Sequence, residues 1–377
     1  MKIKKGRKDF SIMIVVLSLA LLINIVLIFL RIEIVSYTGD EPNYFVPWDT
    51  IIFNYPAFYS DELFYYNVQT DNPFLYEVAN TFSFMMQERV FVYINFYGYY
   101  VRFLKGIVNS SWVGLIFFTG LVYNVVFIIL LSFILTNIFE LQGQKSLFLL
   151  LLIIISPPYL QLISSWMRDL LIIDLMLIAF IAAKQRRVFL WVIATILQLL
   201  IRAYMVPIHV FLMLYFYPRR KRMNTKDLVK VEVLLGIIMG AILVVPLYQV
   251  GYQRLVEEFP QRFVQNFTGL TLWLMTGHVK LRTGLYNFLF NIESLSSYFY
   301  PAFYCVLYMI LFVRIFVAKA GLTQEQRTYT FAFFIVGLYI TIMHAAYLGF
   351  LVSRIQFITM IFGYIALASL FEKHQLT

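Results

Sequence analysis

The feature that most constrains this chain is a series of long uncharged apolar runs. From Ser11 to Leu30, "SIMIVVLSLALLINIVLIFL", no residue carries a charge. A helix of about 20 such residues crosses the hydrocarbon core of a bilayer. Comparable runs recur along the sequence, which is 61% hydrophobic and only 13% charged. That balance lies far outside the range of soluble domains. The expected fold class is an all-α polytopic integral membrane protein with about ten transmembrane helices. Residues 1–377 are expected to form a single transmembrane domain. The first run is too long for a secretory signal and lacks a small-residue cleavage site, so it reads as a retained span.

Charge sets the orientation. The N-terminal "MKIKKGRKDF" carries five basic residues, which favours the cytoplasmic side. Spans are then expected at about 11–30, 112–138, 147–163, 170–183, 188–204, 206–217, 231–250, 301–317, 329–349 and 355–371. The stretch 147–217 reads either as four short crossings or as partly re-entrant. Both termini fall in the cytoplasm, and two long extracytoplasmic loops remain, at about 33–110 and 251–299. On this assignment 19 of the 30 Lys and Arg lie inside with 6 of the 20 acids, so the basic excess follows the membrane topology. The net charge of +10 is thereby explained without a nucleic-acid partner. A single cysteine, Cys305, excludes an intrachain disulfide framework and a multi-cysteine metal site.

The chemistry-bearing residues map to the outer ends of the spans. A charge at membrane depth costs about 2.5–3.5 kcal/mol on insertion scales, which marks it for attention. Asp40 and Glu41 follow the first span within "SYTGDEPNYF". Arg168 and Asp169 stand between spans three and four, with Asp174 deeper, while Arg202 ends span five and Arg354 begins span ten. Each has a plainer reading. Gly, Asp and Pro make turns, arginines snorkel to headgroups, and an aspartate suits the positive end of a helix. Asp174, His209 and His344 read more simply as interhelical packing partners. What the plain readings leave unexplained is the convergence on one face.

The outer loops add aromatic and cationic groups. Between Tyr44 and Tyr100, 20 of 57 residues are Phe, Tyr or Trp. The segment "SFMMQERVFVYINFYGYYVRFL" has the length and composition of an interfacial helix. Its rings suit either an aromatic belt or a sugar-stacking surface. In the second loop Lys280 and Arg282 flank an apolar ledge, as a lipid phosphate would require, or simply attract anionic lipid. The sequons at Asn109 and Asn266 are weak signals.

This arrangement resembles the GT-C superfamily of polyprenyl-phosphate-dependent glycosyltransferases, through the immediate "GDEPNYF" after span one, the long outer loop, and "SPPYLQLISSWMRDLLIIDLMLIAF". It is also similar to the polymerases of O-antigen and exopolysaccharide repeat units, in which "WMRD" and "VSRIQF" would supply arginines. On this reading no soluble C-terminal domain of the kind many GT-C enzymes carry is expected. The first resemblance implies a plasma (inner) membrane enzyme of bacteria, working on cell-envelope polysaccharide. It would move a sugar from a polyprenyl-(pyro)phosphate donor to a glycan or lipid-linked acceptor on the extracytoplasmic face. By position, Asp40 or Glu41 becomes the catalytic carboxylate. A base of this kind contributes about 10²–10⁴-fold. Arg168, Arg202 and Arg354, with Lys280 or Arg282, become ligands of the donor phosphate. Asp169, Tyr44 and Tyr204 take supporting roles. A Mg or Mn ion at Asp40 and Glu41 is compatible with this chemistry but not required by it. A lipid-linked oligosaccharide flippase is the competing class, and a structural membrane subunit is the third. A transporter would place its charges near the midplane, usually with an internal repeat.

Overall fold

The computed structural model describes residues 13–29, 32, 76–77, 92–93, 96–141, 143–163, 165–166, 168–202, 205–217, 324–343 and 353–371. These residues are almost wholly helical, so the chain is all-α in what is described. The exception is a two-residue antiparallel pairing of β1, Tyr76–Glu77, with β2, Val92–Tyr93, in which Tyr76 stands opposite Tyr93. The expected interfacial helix over 83–104 is thereby corrected. Its Val92–Tyr93 step is extended, as β-branched and aromatic residues favour, and the helix begins at Phe96.

The helices in chain order are α1 Met13–Phe29, α2 Phe96–Ile107, α3 Trp112–Phe133, α4 Gln144–Ile154 and α5 Pro157–Ile163. There follow α6 Asp169–Gln185, α7 Val188–Arg202, α8 Val206–Phe216, α9 Gln324–Met343 and α10 Ser353–Phe371. Among the described residues one helix, Trp112–Ile138, is long and apolar enough to cross a membrane. It joins α3 to a π-helical turn, Ile134–Ile138. Its start is set by Ser111, whose Oγ accepts the Gly114 N–H at 3.1 Å.

Span three is not a single helix. The chain breaks between Ile154 and Pro157 because two successive prolines, Pro157 and Pro158, lack the N–H that a continuous helix needs. Ser156 helps close the break by donating its hydroxyl to the Ile153 carbonyl at 2.7 Å. The region 147–217 thus contains short helices of 7 to 17 residues. Spans seven and eight lie outside the described residues. Of the stretch expected as span nine, residues 329–343 are helical, within Gln324–Met343, and the rest lies outside the described residues.

The core is organised around α6. Apolar residues surround this helix on nearly every side, and it is buried accordingly. It packs against α3, α5, α7, α8 and α10. A left-handed Arg186 ends it, with φ of 60°, and the N–H groups of Arg186 and Arg187 return to the carbonyls of Ala183 and Ala182. The two residues 186–187 then turn the chain into α7, which lies back along α6. A second pairing joins α9 and α10, with Gln326 donating to the Ser369 carbonyl at 3.0 Å. Several helices present large apolar side chains outward, including Phe29 on α1, Phe117 on α3 and Phe189 on α7, which is 78% exposed.

Candidate functional site

Three residues singled out in the sequence meet where α6 begins and α7 ends. Asp169 opens α6 and Arg202 closes α7, and the Arg202 Nη1 donates to Asp169 Oδ1 at 2.5 Å. Their side chains are 1% and 6% exposed, so this is a buried ion pair. Each charge also complements its own helix. The carboxylate sits at the positive N-terminal end of α6, and the guanidinium at the negative C-terminal end of α7. Arg168, one residue earlier, donates its Nη1 to the Ile201 carbonyl at 3.2 Å. Gln198 adds a bond from its amide to the Arg202 carbonyl at 3.2 Å. Among the described residues, two guanidiniums and one carboxylate share this end.

The two arginines are not equivalent. Arg202 is buried against Asp169, whereas Arg168 is only half-buried. Arg168 is thus the more accessible of the two, and Arg202 is the one placed to orient Asp169.

Neighbouring elements hold the loop that carries Arg168. The Tyr97 hydroxyl of α2 donates to the Trp166 carbonyl at 2.7 Å, and Trp166 itself is fully buried. Asn24 of α1 donates to the Ile163 carbonyl at the end of α5. Gly120 of α3 makes this approach feasible, because a Cβ there would stand 2.6 Å from the Ile163 oxygen and 2.8 Å from the Asn24 amide nitrogen. The C-terminal half of α1 therefore lies at the Arg168 end of the bundle. Tyr97 is thus tied into the structure, whereas Tyr99 and Phe103 on the same helix face outward. On α2, partial burial pulls the Lys105 ammonium below the usual lysine range.

The remaining candidates stand as follows. Arg354 is the second residue of α10. Asp40, Glu41, Tyr44, Tyr204, Lys280, Arg282, His344 and Asn266 lie outside the described residues. Asn109 is exposed, in a left-handed turn with φ of 51°. His209 is buried on α8, with its Nδ1 3.3 Å from the Thr195 hydroxyl, as expected of an interhelical partner. Among the described residues no three His, Cys, Asp or Glu side chains gather into a metal centre. The metal expectation rests on Asp40 and Glu41.

Sequence reasoning missed a second polar set deeper in the bundle. Tyr159 of α5 donates to Asn124 of α3, and Asn124 donates to the Ala20 carbonyl of α1 at 3.5 Å. Asp174 lies fully buried nearby on α6. The available signal was an isolated asparagine within each of two apolar runs, "LLINIVL" and "LVYNVVF". Compared with known proteins, the chain matches no family model, no curated protein and no solved structure.

Proposed function

We propose that the chain is a polytopic integral membrane protein that transfers a sugar from a polyprenyl-phosphate donor to an acceptor hydroxyl at the extracytoplasmic face. Apolar runs of membrane-spanning length, the sidedness of the basic residues and the outward apolar faces of α1, α3 and α7 support the membrane reading. The broken pair α4 and α5 together occupy the place of one crossing.

One observation carries the site. Arg168, Asp169 and Arg202 converge at the same end as the C-terminal half of α1. Asp40 and Glu41 follow the end of α1 by 11 and 12 residues. At about 3.3 Å per extended residue, that tether is long enough to bring a carboxylate to Arg168. In this reading the carboxylate takes the proton of the acceptor hydroxyl. The acceptor oxygen then bonds to the anomeric carbon as the bond to the donor phosphate breaks. Arg168 stabilises the charge that grows on the departing phosphate, with Arg354 and the second-loop cations, Lys280 and Arg282, as further donors. Arg202 holds Asp169 and the start of α6 in place.

The test compares membranes expressing wild type, Asp40→Asn, Glu41→Gln and Arg354→Ala at matched levels, with lipids and surface glycans read by mass spectrometry. Loss of one sugar in the Asp40 or Glu41 variant together with Arg354→Ala supports the proposal. Collapse of long chains to single repeats makes the protein a polymerase. Wild-type glycans in every variant would sink the enzyme reading in favour of transport or a structural role.

A further inference from the structure

Asp174 lies five residues along α6 from Asp169 and is as deeply buried, yet its surroundings differ. Asp169 has Arg202 beside it. Among the described residues, neither carboxyl oxygen of Asp174 has a hydrogen-bond partner. Its helix neighbours Ile172, Ile173, Leu175 and Met176 are all buried and apolar. An isolated ionised carboxylate in such a place is far too costly to persist uncompensated.

The polar atoms nearby decide what compensates it. Asp174 lies within electrostatic reach of the Tyr159 hydroxyl. That hydroxyl has one hydrogen, and it is given to Asn124 Oδ1. The Asn124 amide in turn gives a hydrogen to the Ala20 carbonyl. The Tyr159 hydroxyl hydrogen is therefore committed to Asn124, and towards Asp174 the Tyr159 oxygen presents only lone pairs. An ionised carboxylate, itself only an acceptor, is repelled there. A neutral carboxylic acid supplies the missing donor. A divalent cation would ask for about six oxygen ligands, and no metal-binding cluster is present among the described residues.

Among the described side chains, no other charge on the packed helices replaces the proton. The described titratable side chains there are Tyr123 on α3, Tyr159 on α5, Arg202 on α7, His209 and Tyr215 on α8, and Tyr364 on α10. Arg202 is committed to Asp169, and α6 adds Lys184, which lies over the Tyr329 ring at the far end of that helix.

We propose that Asp174 is a buried proton-binding site, held as a neutral acid beside the Tyr159–Asn124 pair, whose hydrogen bonds run on to the Ala20 carbonyl. The Tyr159–Asn124–Ala20 bonds join α5, α3 and α1, and the bound proton lets Asp174 of α6 lie beside them without a buried charge. Because it concerns the bundle interior, this site is independent of any glycosyl transfer.

The test is infrared spectroscopy of the purified full-length protein in lipid nanodiscs, at neutral pH, for wild type, Asp174→Asn and Tyr159→Phe. Size-exclusion profiles confirm folding of each. Wild type should show the carbonyl stretch of a protonated carboxylic acid, Asp174→Asn should lose it, and Tyr159→Phe should shift it to higher frequency. If Asp174→Asn does not fold, the Tyr159→Phe shift alone decides the matter. An unchanged spectrum in the folded variants overturns the proposal. So does conversion of the band to carboxylate when sodium replaces choline in the buffer, which would make this a cation site.

Discussion

The two ends of α6 are built from different materials. At its start, charges are buried: Asp169 and Arg202 are paired in the interior, with Arg168 beside them. At its other end, about 25 Å away for a 17-residue helix, rings do the packing. Phe180 meets Phe216 edge-on at 5.0 Å, Phe216 stacks on Tyr329 at 5.2 Å, and Phe139 meets Tyr329 at 4.9 Å. Of the charges there, Arg186, Arg187, Lys145 and Arg327 are exposed and Lys184 is half-buried over the Tyr329 ring. Burying an ion pair gains little stability over apolar packing, because desolvation offsets the attraction. Among the described residues, the aromatic end is packed by rings, and the buried ion pair lies at the other end, where the site is proposed.

Substitutions break this comparison with graded force. Arg202→Ala leaves Asp169 buried without its guanidinium and should cost about 3–5 kcal/mol in thermal or denaturant unfolding in detergent. Gly120→Ala drives a methyl into the Ile163 carbonyl and Asn24, and should cost about 1–3 kcal/mol while loosening α1 from α5. Ser111→Ala removes the cap of α3, with an expected loss of about 1 kcal/mol. Lys184→Ala, at the aromatic end, removes a cation 5.1 Å above the Tyr329 ring, for about 0.5–1 kcal/mol by the same unfolding measurement. A charge at the aromatic end that mattered as much as Arg202 would erase the distinction.

How much of this was legible in the sequence depended on whether the signal was local. The positions of α1, α3 and α10 follow from runs of apolar residues, and the break before α5 follows from Pro157 and Pro158. The gathering of Arg168, Asp169 and Arg202 at one end was expected because each flanks a span. Their pairing was not, since Asp169 and Arg202 are 33 residues apart and meet only through the register of α6 on α7. The pairing of β1 with β2 was hidden because an aromatic run suits a strand as readily as an interfacial helix. Asp174 looked least interesting, because its lack of partners is a property of the packed bundle and not of its neighbours in sequence.

The most direct measurement is sugar transfer by purified protein in nanodiscs, from polyprenyl-phosphate sugars, comparing Arg168→Ala with Lys184→Ala. If the buried-charge end is where the phosphate departs, Arg168→Ala should lose about 10²–10³-fold in kcat, while Lys184→Ala keeps the wild-type rate. Equal activity of the two variants, or a greater loss from Lys184→Ala, would contradict the assignment of the chemistry to the Arg168 end.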